Sequence, residues 1–296
     1  MALVSSVPYL WSDSTWMGER AAVSDLVLGN EISLRLGAFL GVLAVMALWE
    51  HVAPRRPLSA SRWQRWSSNL GLVAIDAVLL RVLRPLAAVG AAIVAAEQGW
   101  GLFHVLAVPP GIAVLVSVVV LDLAIYLQHV VFHKVPLLWR LHRVHHTDVD
   151  LDATSGVRFH PFEIVLSLLI KMAIIVALGA PAVAVIVFEV LLNATAMFNH
   201  ANVRLPGAVD RVLRAVIVTP DMHRVHHSVH RDETDSNYGF NLSLWDRLFG
   251  TYREQPRDGH LGMTIGLTEF RSMPDRWLPR LLIQPFVRAE GASSRQ

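Results

Sequence analysis

The chain has 296 residues, 53% of them hydrophobic and only 17% charged, with a mean hydropathy of +0.44. An ordinary soluble domain carries about 25% charged residues, so this balance is that of a membrane protein. The absence of cysteine excludes disulfides, cysteine-ligated iron–sulfur clusters, a thiolate-ligated haem and a cysteine nucleophile.

The formal charge is +2 and the pI about 9.3. The basic residues are mostly arginines gathered outside the apolar runs, a distribution that orients a chain in a membrane; no nucleic-acid partner is expected. Residues 1–32 carry Asp13, Glu19, Asp25 and Glu31 and do not read as a signal peptide; they are expected to be a short amphipathic or disordered lead. The first spanning run is Leu34–His51. Ala53–Asn69, with four arginines, two prolines and two tryptophans, reads as an interfacial loop on the cytoplasmic side. Leu70–Ala96 is apolar but interrupted by Asp76, Arg81 and Arg84, followed by Pro85. Two readings stand: a polar lining of a cavity or channel, or a kinked helix whose arginines pair with Asp76 or reach outward.

Glu97–Gly111 has no Lys or Arg and fits an outer loop. Ile112–Phe132 is a strong span with the single charge Asp122. Asp122, Tyr126, His129 and His133 recur at helical spacing and share one stripe. Phe162–Leu178 and Pro181–Phe198, joined by Gly179-Ala180, read as a helical hairpin, with Glu163, Lys171 and Glu189 as polar interruptions. The tail after His200 holds thirteen arginines and no further span. The expected divisions are a lead at 1–32, an N-terminal membrane region at 33–111, a catalytic region at 112–255 and a tail at 256–296.

Histidine supplies the chemistry. His129 and His133 lie one turn apart; His142, His145 and His146 follow within the same eighteen residues, and the same five-residue word returns as His223-Arg-Val-His226-His227. At roughly 100° per residue, each cluster puts its rings on one side of a helix. Neutral imidazole suits iron, zinc, copper and nickel. Eight such rings exceed one tetrahedral zinc and suit two metals; the repeated word reads as two halves of one metal site. A zinc protease is excluded, since no glutamate lies between the paired histidines. A bis-histidine haem would leave most of the rings unused. A metal transporter would string them along a pore, whereas they cluster beyond the spans; a relative that had lost its metals would not keep all eight.

These residues resemble the fatty acid hydroxylase/sterol desaturase superfamily of integral-membrane di-iron oxygenases. The three clusters, Leu138-Trp139-Arg140-Leu141 before His142, Arg158-Phe159-His160-Pro161, Asn237-Tyr238-Gly239-Phe240-Asn241 and Trp245–Tyr252 carry the likeness, over about residues 112–255. It implies an all-α fold: a stem of about four transmembrane helices under a cytosolic helical cap that holds two Fe ions. It implies O2-dependent hydroxylation or desaturation of a lipid C–H bond, with electrons from a separate donor protein, ultimately from NAD(P)H. The expected ligands are His129, His133, His142, His145, His146, His223, His226 and His227, with His160 and His200 added because the family places further histidines there. His230 is a supporting residue, and His51, His104 and His260 are not ligands. Asp122, Asp148, Asp152, Asp221 and Asn237 are candidates to orient imidazoles, though Asp148 and Asp150 read first as surface acids. The Trp245–Tyr252 run either shapes the substrate groove or packs an amphipathic helix onto the cap. The Ala/Val/Arg-rich composition points to a bacterial inner membrane.

Overall fold

A computed structural model of the chain describes residues 26–83 and 87–288. Arg84, Pro85 and most of the N-terminal lead lie outside the described residues. Ten helices of six or more residues are present among those described: α1 Glu31–Val52, α2 Arg62–Val82, α3 Ala88–Glu97, α4 Pro110–Lys134, α5 Pro136–His146, α6 Pro161–Leu178, α7 Ala182–His200, α8 Gly207–Leu213, α9 Pro220–His226 and α10 Leu278–Ile283. The described residues contain no strand, only three isolated bridges. The all-α, multi-pass expectation therefore holds.

Four helices, α1, α4, α6 and α7, are long and apolar enough to cross a membrane. Their outward faces are apolar: on α1, Leu36, Leu40, Val45 and Leu48 are all exposed, as lipid-facing side chains must be. The inner faces of α4, α6 and α7 meet in a core built from Leu121, Ile125, Leu168, Val185, Phe188 and Ala196. The expected hairpin is present. Gly179 ends α6 in the left-handed conformation (φ +69°), where a side chain would be strained, and α7 restarts after Pro181.

The second segment departs from expectation. Arg62–Asn69, read as loop, is the first part of α2, started by Ser61, whose side chain accepts from the Gln64 N–H. Its inward face is largely polar, with Arg65, Ser68, Asn69 and Asp76 buried, while Trp63, Val78 and Val82 point outward. A helix patterned that way meets apolar surroundings outside and needs polar partners inside. The run to Ala96 is not continuous: α2 ends at Val82 and α3 resumes at Ala88. Arg81 is exposed and unpaired with Asp76, which lines a cavity.

The loop between α5 and α6 is locked to α2. Arg65, buried completely, donates Nε to Asp148 at 2.6 Å, Nη1 to Asp152 at 2.6 Å, and Nη2 to Asp148 and to the Asp150 carbonyl, both at 2.9 Å. Asp148 and Asp150 are thus buried, not surface acids; Asp150 accepts from the Ser59 and Ala60 N–H groups. Burial pushes the Asp148 carboxyl up, but Arg65 outweighs it and holds the group well below the usual carboxylate range. Gly156 in this loop lies against α7. A Cβ there would stand 2.3 Å from the Ala196 carbonyl oxygen, so glycine is needed for the close approach, one turn before His200.

Candidate metal centre

Each histidine helix outside the stem starts with a proline at its first turn, Pro136 in α5 and Pro220 in α9. There the missing N–H costs nothing and the fixed φ suits a helix. In α9 the Thr219 side chain also accepts from Met222 N–H. These starts fix which ring faces inward. Nine histidines converge in two groups, within each of which the ligand atoms lie no more than 4.8 Å apart: His129, His133, His142, His146 and His226 in one, His145, His200, His223 and His227 in the other. All nine are buried.

The two His-Arg-Val-His-His words are not the two halves of one site; each divides between both groups, in opposite senses. Residues i and i+4 of a helix differ by about 40° in direction and i+3 lies on the other side of i. So His142 and His146 enter the first group while His145 turns to the second, and His223 and His227 enter the second while His226 turns to the first. The groups share a wall, with the His146 and His227 rings stacked at 4.5 Å.

In the first group all five Nε2 atoms are buried without a hydrogen-bond partner. Four of the five other ring nitrogens face an oxygen. The Nδ1 of His142 donates to Glu163 Oε1 at 2.6 Å, that of His129 to the Tyr238 carbonyl at 2.7 Å, and that of His226 to the Ser236 carbonyl at 2.7 Å; Nδ1 of His133 lies 3.5 Å from Asp235. A proton held on Nδ1 leaves the Nε2 lone pair free, the tautomer a metal ligand needs. In the second group the Nδ1 of His200 faces the Ala196 carbonyl and Asn199 Oδ1, so its Nε2 is a lone pair too. Three more Nε2 atoms, of His145, His223 and His227, stand 3.0, 3.2 and 3.1 Å from it. One lone pair cannot satisfy three neighbours by hydrogen bonding, whereas donors around one cation with ~2.1 Å bonds stand about 3.3 Å apart. The donor sets fit two metal ions.

His200 thus falls among the expected ligands, and His160 falls outside both groups. Its Nδ1 accepts from Phe162 N–H, capping α6, and its Nε2 contacts the Leu282 carbonyl at 3.1 Å. His230 pairs with Asp258 at 2.9 Å, and His51, His104 and His260 belong to neither group. None of the acids named in advance orients a ring of the two groups. Asp122 accepts from Trp245 Nε1 and Leu242 N–H, Asp221 pairs with Arg55 and Arg224, and Asn237 donates to the Met222 and Arg253 carbonyls. The orienting groups of the first set instead come from Glu163 and from one short loop, Asp235–Tyr238, and His200 in the second faces Ala196 and Asn199. Asp246 holds that loop by accepting from the N–H groups of Tyr238 and Gly239 at 2.7 and 2.9 Å. The only advance signals were a carboxylate in an apolar helix, Glu163, and the Asn237–Asn241 and Trp245–Tyr252 words. The latter run packs onto α4 through Trp245 and does not line the cavity beside His129 and His142.

Burial pushes His142 down to about 3 from an ordinary 6.5, and pushes His145, His146, His223, His226 and His227 well below that ordinary value, with mutual repulsion adding. Below an unfolded value near 6.5 the unfolded chain binds protons that the folded rings refuse. Stability is therefore complete above that pH and falls as pH drops toward the folded values. Metal-stripped protein is expected to lose melting temperature steadily from about pH 7 to pH 5, at up to ~1.4 kcal/mol per pH unit for each ring. Thermal unfolding across that range checks this; a flat profile would contradict the burial of neutral rings.

A cavity of about 330 Å³ opens on the stem side of the first group, with His129 and His142 at one end and Arg35, Lys171 and Glu189 at the other. Lys171 lies ten residues along α6 from Pro161, roughly 15 Å deep at 1.5 Å per residue. Glu189 joins Lys171 and Arg35 at 2.7 and 2.5 Å. Ile125, Phe132, Phe159, Leu168 and Phe240 make the walls between.

Residues 114–251 match the family described as fatty acid hydroxylase. An ornithine lipid hydroxylase of Rhizobium tropici is 30% identical over 161 residues, 54% of this chain and 47% of that protein. The alkylglycerol monooxygenase of Homo sapiens is 26% identical over 149 residues, covering 50% and 32%. The cholesterol 25-hydroxylase of Rattus norvegicus is 24% identical over 149 residues, covering 50% and 49%. The chain spans about half or less of the length of these curated relatives. No solved structure matches it.

Proposed function

We propose that this chain, whose residues 114–251 match the fatty acid hydroxylase family, is a membrane-bound oxidoreductase of that family that hydroxylates an unactivated C–H bond of a lipid with O2, its two Fe ions held by the nine grouped histidines. The observation that carries the reading is the convergence of nine Nε2 atoms, five of them buried and unpartnered, beside a cavity reaching into the stem. When bound, the irons would supply dioxygen activation and the two-electron oxidation, fed by a separate donor protein and ultimately by NAD(P)H. Hydroxylation rather than desaturation is favoured by the relatives, each named a hydroxylase or monooxygenase.

The protein's own part is positional. Glu163 and the Asp235–Tyr238 loop keep protons on Nδ1 of His142, His129 and His226, so these rings stay neutral and aimed. The apolar walls of the cavity seat the lipid chain and keep bulk water from the reacting carbon. The catalytic region is assigned to residues 112–255. The histidine end is placed on the cytoplasmic side of a bacterial inner membrane, a placement supported by the arginine-rich tail that follows α7. The test is to purify the full chain in detergent, measure its metals, reconstitute with Fe(II), and incubate with lipid extract, an electron donor and ¹⁸O2. About two irons per chain and a lipid product carrying the heavy oxygen are expected. A folded preparation that takes up no metal would overturn the reading.

A further inference from the structure

The cavity beside the first histidine group is unevenly satisfied. At its deep end the cations are already matched, since Arg35 and Lys171 both pair with Glu189. Near the histidines the opposite holds. Asp76 is 7% exposed and has no hydrogen-bond partner. Glu163, 3% exposed, spends one oxygen on His142 and leaves Oε2 unpartnered. Gln128, next to His129, leaves Oε1 buried and unpartnered. All three line this one cavity, from α2, α6 and α4 in turn. The unmatched atoms at this end, Asp76 Oδ1, Glu163 Oε2 and Gln128 Oε1, are all oxygens. A buried acceptor left alone costs about 1–3 kcal/mol, and buried polar groups normally have partners.

We propose that Asp76, Glu163 and Gln128 form a recognition site for a hydrogen-bond-donating group of the lipid, an amine or hydroxyl, held beside the histidine groups. The proposal rests on the lipid-oxidising reading above and sharpens its substrate class. A phosphate or carboxylate would meet unmatched acceptors here and be repelled; an N–H or O–H donor completes them. The oxidised carbon then lies close to the polar part of the lipid, with the apolar chain running along the cavity walls, rather than at the far end of an acyl chain.

The test uses the full chain in detergent and three probes of equal chain length: hexadecylamine, hexadecanol and hexadecyl methyl ether, with binding read by native mass spectrometry. The unaltered protein is expected to bind the amine and alcohol about tenfold more tightly than the ether, the range for one or two added hydrogen bonds. Asp76→Leu should erase that preference, while Asp76→Asn, which keeps an acceptor oxygen, should retain part of the preference for the alcohol. Asp76→Leu should also unfold at an unchanged or higher temperature, because it removes an unpaired buried carboxylate. No preference in the unaltered protein, or an equal loss for all three probes in Asp76→Leu, would overturn the site. Binding does not require turnover, so the two readings separate. A donor preference without lipid oxidation sinks the activity and keeps the site; lipid oxidation without a donor preference does the reverse.

Discussion

Replacing His223 by Ala is expected to lower bound iron from about two ions per chain to about one and to reduce hydroxylated product to background. His223 belongs to the group of four, where each lost Nε2 leaves three donors. His133 belongs to the group of five, and its Nδ1 lies 3.5 Å from Asp235, farther than the 2.6–2.7 Å contacts of His129, His142 and His226. His133→Ala leaves four donors in its group and should therefore keep its metal while losing part of the activity. The adjacent pair His145 and His146 gives the sharper check. Because they turn into different groups, His145→Ala should behave like His223→Ala, whereas His146→Ala should resemble His133→Ala. Elemental analysis with single-turnover product counts decides it, and equal metal loss in all four variants would sink the division into two groups.

The largest effect on stability is expected at Arg65. Its guanidinium is fully buried between Asp148 and Asp152. Arg65→Met leaves two buried carboxylates without their cation, at a cost of about 3–5 kcal/mol. The damage should reach the metals as well, since the same loop directly follows His146 and sets Gly156 against α7 beside Ala196. Thermal unfolding in detergent measures the loss, and iron content its spread. Adding Asp148→Asn to Arg65→Met should recover part of the stability by removing one stranded charge. A single variant that melts like the unaltered protein would show that the network holds nothing in place.

Much of the centre could be read from the order of residues because helices convert spacing into direction. The three histidine clusters and the four helices long and apolar enough to cross a membrane follow from local periodicity. So does the hairpin at Gly179, whose φ of +69° a glycine in that place foretells. The beginning of α2 was less legible, since Arg62–Asn69 is basic and rich in tryptophan and only its buried partners make that polarity a helix face.

What periodicity could not supply was contact across the chain. His160 carries the same ring as His200 and follows a similar word, yet one caps α6 and contacts the Leu282 carbonyl while the other meets three Nε2 atoms. Nothing within a few residues of either distinguishes them. Asp148 and Asp150 read as surface acids until Arg65, 83 residues earlier, is brought against the first of them. Glu163 looked like a blemish in an apolar helix until the fold placed it 2.6 Å from His142. The sequence by itself determined the histidine clusters, the helices that aim them and the apolar runs, because these depend on neighbours within one or two turns. Tertiary structure alone decided which ring nitrogens meet in one group, which groups face their other nitrogens and which acids stand unmatched in the cavity, because burial and pairing are set by distant segments meeting.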